Sequence, residues 1–306
     1  MNELYAKDVY RAKNINSILD FYENFKNKEE LIRWAKQVPL AKITIHEFGK
    51  GKKNDVIIVV TTDDIKNEHT KRAMSTYKNF HTIFVESNGP FFNYSNSCNV
   101  GLRYAAKYKP DWIVLSNNDV YKITNLKQLR DKLRKIDKNK FDVVFIKPDP
   151  DFYHSYKVDV VKITKLYYLY KTLRNKDFRR IHGFSQKFNV EYKAIAGFGM
   201  KGWLLKAITR RVAQAINIGD FCIFSANFIN KTKNLFDRGF VHIDFEDVEL
   251  SLRLLKKKVA YVDFMIGSEK GATLGTDRKR GARDIVNAVY LDYMIKKELS
   301  LLRANK

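Results

Sequence analysis

Apolar residues follow two periods along this chain. Across residues 14–38, Ile15, Ile18, Leu19, Tyr22 and Phe25 recur at helical spacing, and Leu31, Ile32 and Trp34 add apolar bulk. That spacing predicts one or two helices, closed by Pro39 because proline cannot continue a helix. LAKITIHEF then alternates like a short strand, and GKGKKND reads as a loop. The next run, VIIVV at residues 56–60, is unbroken and β-branched, the pattern of a parallel strand buried on both faces. A polar, helix-like segment (IKNEHTKRAMSTYKN) separates it from a second run, HTIFV. Asn88-Gly89-Pro90 breaks the chain, and residues 99–108 read as helix. DWIVL at 111–115 and FDVVFIKP at 141–148 are further strands, flanking a charged helix at 126–136. Strands alternating with helices predict βαβ units, hence an α/β fold with a doubly wound, mostly parallel sheet flanked by helices.

Residues 152–218 break this rhythm. Aromatic residues interleave there with 14 Lys and Arg against 3 acids. FCIFSANFI then resumes strand-like character, and residues 285–302 predict a terminal helix. The whole chain of 306 residues carries 57 Lys and Arg against 34 Asp and Glu, a net charge of +23, so an anionic partner is expected. With 45% hydrophobic residues it can bury a core, which excludes general disorder. Two cysteines, Cys98 and Cys222, make neither a disulfide framework nor a cysteine-rich zinc site. No apolar run reaches the ~18–20 residues that span a bilayer, and MNELYAKDVYRAKN lacks the apolar core of a signal peptide. The expected location is the cytoplasm, at most peripheral at the inner membrane face.

In open parallel sheets ligands bind beyond the carboxyl ends of the strands. Those ends carry Thr61-Thr62-Asp63-Asp64, Glu86-Ser87-Asn88-Gly89 and Ser116-Asn117-Asn118-Asp119. Neither G-x-G-x-x-G after the first strand nor a P-loop is present. Asp119 suits a hard divalent cation shared with phosphates; equally, NND is a turn-forming tripeptide. The second acidic feature is FEDVELSLRL at residues 245–254, with Asp244 as its expected helix cap. Its carboxylates complement a helix N-terminus, or one serves as a general base toward a hydroxyl.

VIIVVTT, IFVESNG, NVGLRYA with WIVLSNNDV, and FEDVELSLRL stand in one order along the chain. Together they resemble the family-two glycosyltransferases of the GT-A fold, LSNNDV being similar to the N-N-D form of the D-x-D motif. The resemblance covers residues 54–148 and 220–275. It implies inverting transfer of a sugar from a nucleotide-diphosphate sugar to a hydroxyl of a glycan, lipid-linked or protein acceptor. It divides the chain into a helical prefix with a short strand (1–53), a nucleotide-sugar-binding half (54–150), a basic aromatic insert (151–219) and an acceptor half ending in a helix (220–306). By the same resemblance Thr61, Thr62 and Glu86 line the nucleoside pocket. Asn99, Asn117 and Asn118 support the sugar nucleotide, and Asp119 binds a divalent cation, Mn2+ or Mg2+. Asp247 is the implied base, with Glu246 as neighbour or substitute. Many relatives carry a histidine after the E-D helix; YVDFMIGSEKGATLG has none, so Glu269 substitutes or Lys270, Arg278 and Arg280 contact the diphosphate. The Q-x-x-R-W motif of processive synthases is absent, which implies addition of one or a few sugars.

Within the insert, AIAGFGMKGWLLKAITRRVAQAI predicts an amphipathic helix, with Lys206, Arg210 and Arg211 on one face and Trp203, Leu204, Ile208 and Val212 on another. It reads as an acceptor lid, a contact with an anionic membrane surface, or both. A catalytically inactive relative and a basic nucleic-acid or membrane binder are the competing readings. Nucleic acid is disfavoured because no recognition motif is present and it leaves both acidic motifs unexplained.

Overall fold

A computed structural model describes Glu3, Val9, Ala12 and residues 14–51, 55–122, 124–146, 157–174, 176–196, 208–268 and 278–304. The chain begins with α1 (Ile15–Glu23), α2 (Lys28–Gln37), β1 (Thr44–Phe48), β2 (Val56–Thr62), α3 (Glu68–Tyr77), β3 (His81–Glu86) and α4 (Tyr94–Ala106). It continues through β4 (Trp112–Asn117), β5 (Val120–Lys122), α5 (Leu126–Leu133) and β6 (Val143–Ile146). The insert contributes β7 (Lys157–Ile163), α6 (Lys165–Arg174), α7 (Lys176–Lys187), β8 (Tyr192–Ala196) and β9 (Thr209–Ile216). Then follow β10 (Phe221–Ser225), α8 (Ala226–Lys231), α9 (Glu246–Leu254), β11 (Val259–Val262), β12 (Ile266–Ser268), α10 (Arg278–Arg283) and α11 (Ile285–Ala304).

The main sheet has seven strands in the order β1-β3-β2-β4-β10-β6-β11. Strands β3, β2, β4, β6 and β11 run one way, while β1 and β10 run the other. The fold is therefore mixed α/β, with a mostly parallel central sheet between helical layers. Its strand residues alternate between two cores because successive side chains point to opposite faces. Ile57 and Val59 pack with Leu102 of α4 and Leu250 of α9. Val56, Ile58 and Val60 pack with Tyr77 of α3 and Leu129 of α5. A third core joins α1 and α2 to the insert and to α11, through Leu19, Trp34, Val160, Phe188 and Tyr290.

Asparagines start many of these helices by accepting a backbone N–H that the first turn leaves open. Asn14, Asn27, Asn67, Asn93 and Asn125 each do so, at 2.7–3.0 Å. The Asn93 cap starts α4 five residues before the helix expected from residue 99. No helix among the described residues is long and apolar enough to cross a membrane.

The structure corrects the expected helix in the insert. Residues 209–216 form strand β9, and β7 pairs antiparallel with both β8 and β9. Arg210 and Arg211 pair with Lys162 and Val161 and are both exposed, and the register shifts at Val212, a pairing with β7 that no single-sequence period reveals. Trp203, Leu204 and Lys206 lie outside the described residues.

Candidate functional site

The carboxyl ends of β2, β3 and β4 share one edge of the sheet, and the reversed β10 begins there. Thr61 is the register partner of both Val85 and Asn117, and the Asn117 N–H donates to the Asp220 carbonyl at 3.0 Å. The chain then turns through Asn118 and Asp119 into β5, which pairs with β12. NND is thus a turn between two strands, and it lies at the ligand edge of the sheet.

Hydrogen bonds hold this turn from both sides. Asn118 donates from Nδ2 to the hydroxyls of Thr62 (3.1 Å) and Thr70 (3.2 Å), which bond each other at 2.6 Å. Asn117 donates from Nδ2 to Asp220 Oδ1 at 3.1 Å and accepts from the Tyr94 hydroxyl at 2.6 Å. Burial pushes the Tyr94 phenol well up, so it stays a donor. Asp119 is partly exposed, and its charge helps burial raise the Tyr77 phenol. Glu86 accepts from the Ile65 N–H at 3.2 Å and pairs with His46 at 2.7 Å. Thr61 is buried between its strand neighbours. Asn99 lies deeper, where its amide bonds the Phe236 carbonyl and the Leu235 and Phe236 N–H groups at 2.8–3.0 Å. It staples the 235–236 loop to α4.

The second motif sits at the start of α9. Three residues just before it occupy the left-handed region, His242 at φ 66°, Asp244 at φ 101° and Phe245 at φ 73°. Non-glycine residues there are strained and need fixing from outside. Asn287 supplies part of that, its amide bonding Val241 N, Val241 O and Ile243 O at 2.7–3.0 Å. Arg280 supplies more by gripping both Asp244 oxygens. Asp244 is therefore not the helix cap that the sequence suggested. Phe245 holds that position and its side chain makes no capping bond.

The two carboxylates that open α9 differ in environment. Glu246 is 3% exposed, and its Oε2 finds no hydrogen-bond partner among the described residues. Burial, reinforced by Asp247 and Asp244, pushes its carboxyl well above the usual carboxylate range and so favours the neutral acid. Asp247 keeps partial exposure. Burial raises it to about 6, opposed by hydrogen bonds from Asn217 Nδ2 and the Val248 N–H, both at 2.7 Å. Asn217 is itself buried and accepts from the Ser251 hydroxyl at 3.2 Å.

The two motifs meet. Asp220, bonded to Asn117, acts electrostatically on both Tyr94 and Asp247, and Glu246 acts on Tyr94 and Cys98. Hydrogen bonds thus join the Asn117-Asn118-Asp119 turn to Tyr94 and Asp220, which lie within electrostatic reach of Glu246 and Asp247. Sequence reasoning missed Asp220, Tyr94 and Asn217. Asp220 directly precedes a strand that was recognised, but its value depends on that strand running backwards. For Tyr94 and Asn217 the sequence offered no signal.

Of the basic residues expected at a diphosphate, Arg280 is engaged by Asp244 and faces Asp284 at 3.9 Å. Lys270 and Glu269, and the side chain of Arg278, lie outside the described residues. Among the described residues no three His, Cys, Asp or Glu side chains converge as a metal site. Asp119 supplies a single carboxylate, a donor set that fits a cation held largely by substrate phosphates.

No family model matches this chain, and no curated protein is similar to it in sequence. Among solved structures it is similar to the crystal structure of A197 from STIV, at a TM-score of 0.35 and 10% identity, over 68% of this chain and 81% of that one. That likeness is too slight to carry an argument about function.

Proposed function

We propose that this chain is an inverting, non-processive glycosyltransferase of the GT-A type, moving a sugar from a nucleotide-diphosphate sugar to an acceptor hydroxyl. The observation that carries the reading is the contrast between the two carboxylates of α9, set within electrostatic reach of the residues that hold the NND turn. Glu246 is sealed, with its carboxyl pushed well up by burial; Asp247 is partly exposed and raised to about 6. A general base works best when its pKa lies near the working pH and it can reach the substrate, and the partly exposed Asp247, raised to about 6, suits that role better than the sealed Glu246. It takes the proton of the acceptor hydroxyl as that oxygen attacks the anomeric carbon. The bond to the diphosphate oxygen breaks on the opposite face, and the nucleoside diphosphate leaves with the electron pair.

Asn217 holds the base by one oxygen, leaving the carboxylate oriented as the proton arrives. Asn117 and Asn118, locked by Tyr94, Thr62 and Thr70, present the turn to the donor, with Thr61 and Glu86 lining the nucleoside end. A Mn2+ or Mg2+ ion shared by Asp119 and the donor phosphates would neutralise charge on the leaving group as a Lewis acid.

Calorimetric titration with UDP, GDP and dTDP, each with Mn2+ and with EDTA, tests this reading. One nucleotide should bind, and Asp119→Ala should weaken that binding and remove its response to metal. Asp247→Asn should abolish transfer while the nucleotide still binds. Absence of binding by all three nucleotides would overturn the proposal.

A further inference from the structure

Helix α6 is apolar on two sides. Its inner side is accounted for: Tyr167 is buried, and the Tyr168 hydroxyl donates to the Val190 carbonyl at 2.9 Å. The opposite side carries Leu166, Leu169 and Leu173, exposed by 55%, 55% and 77%. Spaced i, i+3 and i+7, they form one continuous stripe. Single exposed leucines are ordinary, but an aligned stripe marks a surface that something covers. Among the described residues the other exposed large apolar side chains are scattered over separate elements.

The charge around this stripe points to the occupant. Between Asp159 and Asp177 the chain carries Lys162, Lys165, Lys171, Arg174 and Lys176 and no acid. On the adjoining sheet Lys162 of β7 stands directly opposite Arg210 of β9, and both are exposed, with Lys162 also paired to Glu191 at 3.4 Å. Lys162 and Arg210 adjoin the start of α6, where Thr164 bonds the Ile208 carbonyl at 2.5 Å. A second copy docked stripe to stripe would bring two such basic clusters together, which charge repulsion opposes.

We propose that α6 docks on a bilayer containing anionic lipid, its leucines entering the headgroup–acyl boundary while the surrounding Lys and Arg meet the headgroups. None of the three leucines is among the residues described at the candidate nucleotide site.

Sedimentation of the full chain with phosphatidylcholine vesicles, with and without about 30% phosphatidylglycerol, tests it. Wild type should partition onto the anionic vesicles, and raising salt from about 0.1 M to about 0.5 M should release it. Leu166→Ser/Leu169→Ser/Leu173→Ser should weaken partition at least about tenfold. Its circular dichroism and nucleotide titration should match wild type, which separates this outcome from failure of the transferase reading. Equal partition of variant and wild type would overturn the proposal, as would no wild-type partition. A wild-type dimer that the serine variant dissociates in sedimentation velocity would also overturn it, by showing that a second copy covers the stripe.

Discussion

Replacing Asp247 by asparagine should make the stability difference from wild type depend on pH. Burial holds the native carboxyl near 6 against an ordinary 3.8. Across that window the native state keeps a proton that the unfolded chain has released. The stability this group contributes is thus fully present below 3.8 and is lost as pH rises through about 6. The full gap corresponds to about 3 kcal/mol, and partial exposure reduces it to about 1–2 kcal/mol. Asparagine cannot ionise and escapes this loss. It also keeps only one carbonyl oxygen where the carboxylate accepted from both Asn217 and the Val248 N–H, a pH-independent cost of about 1 kcal/mol.

Urea unfolding followed from about pH 4 to about pH 7.5 should therefore show the difference moving in the variant's favour by about 1–2 kcal/mol. Glu246→Gln serves as the comparison. Burial raises the Glu246 carboxyl as well, so the native state keeps its proton after the unfolded chain has released it. The offset of Glu246→Gln should also move in the variant's favour and go on moving above about pH 6, where that of Asp247→Asn levels off. A flat offset for Asp247→Asn would refute a raised carboxyl at that position, and an offset that levels off near pH 6 for Glu246→Gln but not for Asp247→Asn would exchange the two roles.

Asn99→Ala removes three buried hydrogen bonds to the backbone of residues 235–236 and should cost about 3 kcal/mol in urea unfolding; a loss under about 1 kcal/mol would mean the loop holds without its staple. Gly101→Ala gains about 1 kcal/mol of helix propensity but places a Cβ 2.5 Å from Val59 Cγ1 and 2.7 Å from Val85 Cγ2. Overpacking should win, for a net loss of about 1–2 kcal/mol, and a stabilised variant would show that α4 can lift from the sheet. Tyr94→Phe removes the donor to Asn117 Oδ1. It should weaken nucleotide binding in calorimetry more than it lowers the melting temperature, and the reverse order would make Tyr94 a purely structural residue.

The α/β class was legible in the sequence because its signals are local. VIIVV, HTIFV and DWIVL are short β-branched and apolar runs that only a strand buried on both faces accommodates, and they appear as β2, β3 and β4. The Asn117-Asn118-Asp119 turn and the helix opened by Glu246 and Asp247 were legible for the same reason, since residue type and spacing carry them. Strand direction is not local. The reversal of β10 brings Asp220 to the ligand edge, and pairing with β7 turns residues 209–216 into a strand rather than a helix.

Residue roles depended on tertiary neighbours in the same way. Asn99 reads as a pocket residue in its motif but bonds a loop 136–137 residues away. Glu246 and Asp247 are adjacent and chemically alike, so the sequence left both as candidate bases. Their separation into a sealed carboxyl and a partly exposed one comes from solvent exclusion and from Asn217, which only folding places beside them. The leucines of α6 make the same point from the surface. Their spacing is written in the sequence, but which side of the helix faces out was decided by the packing of Tyr167 and Tyr168.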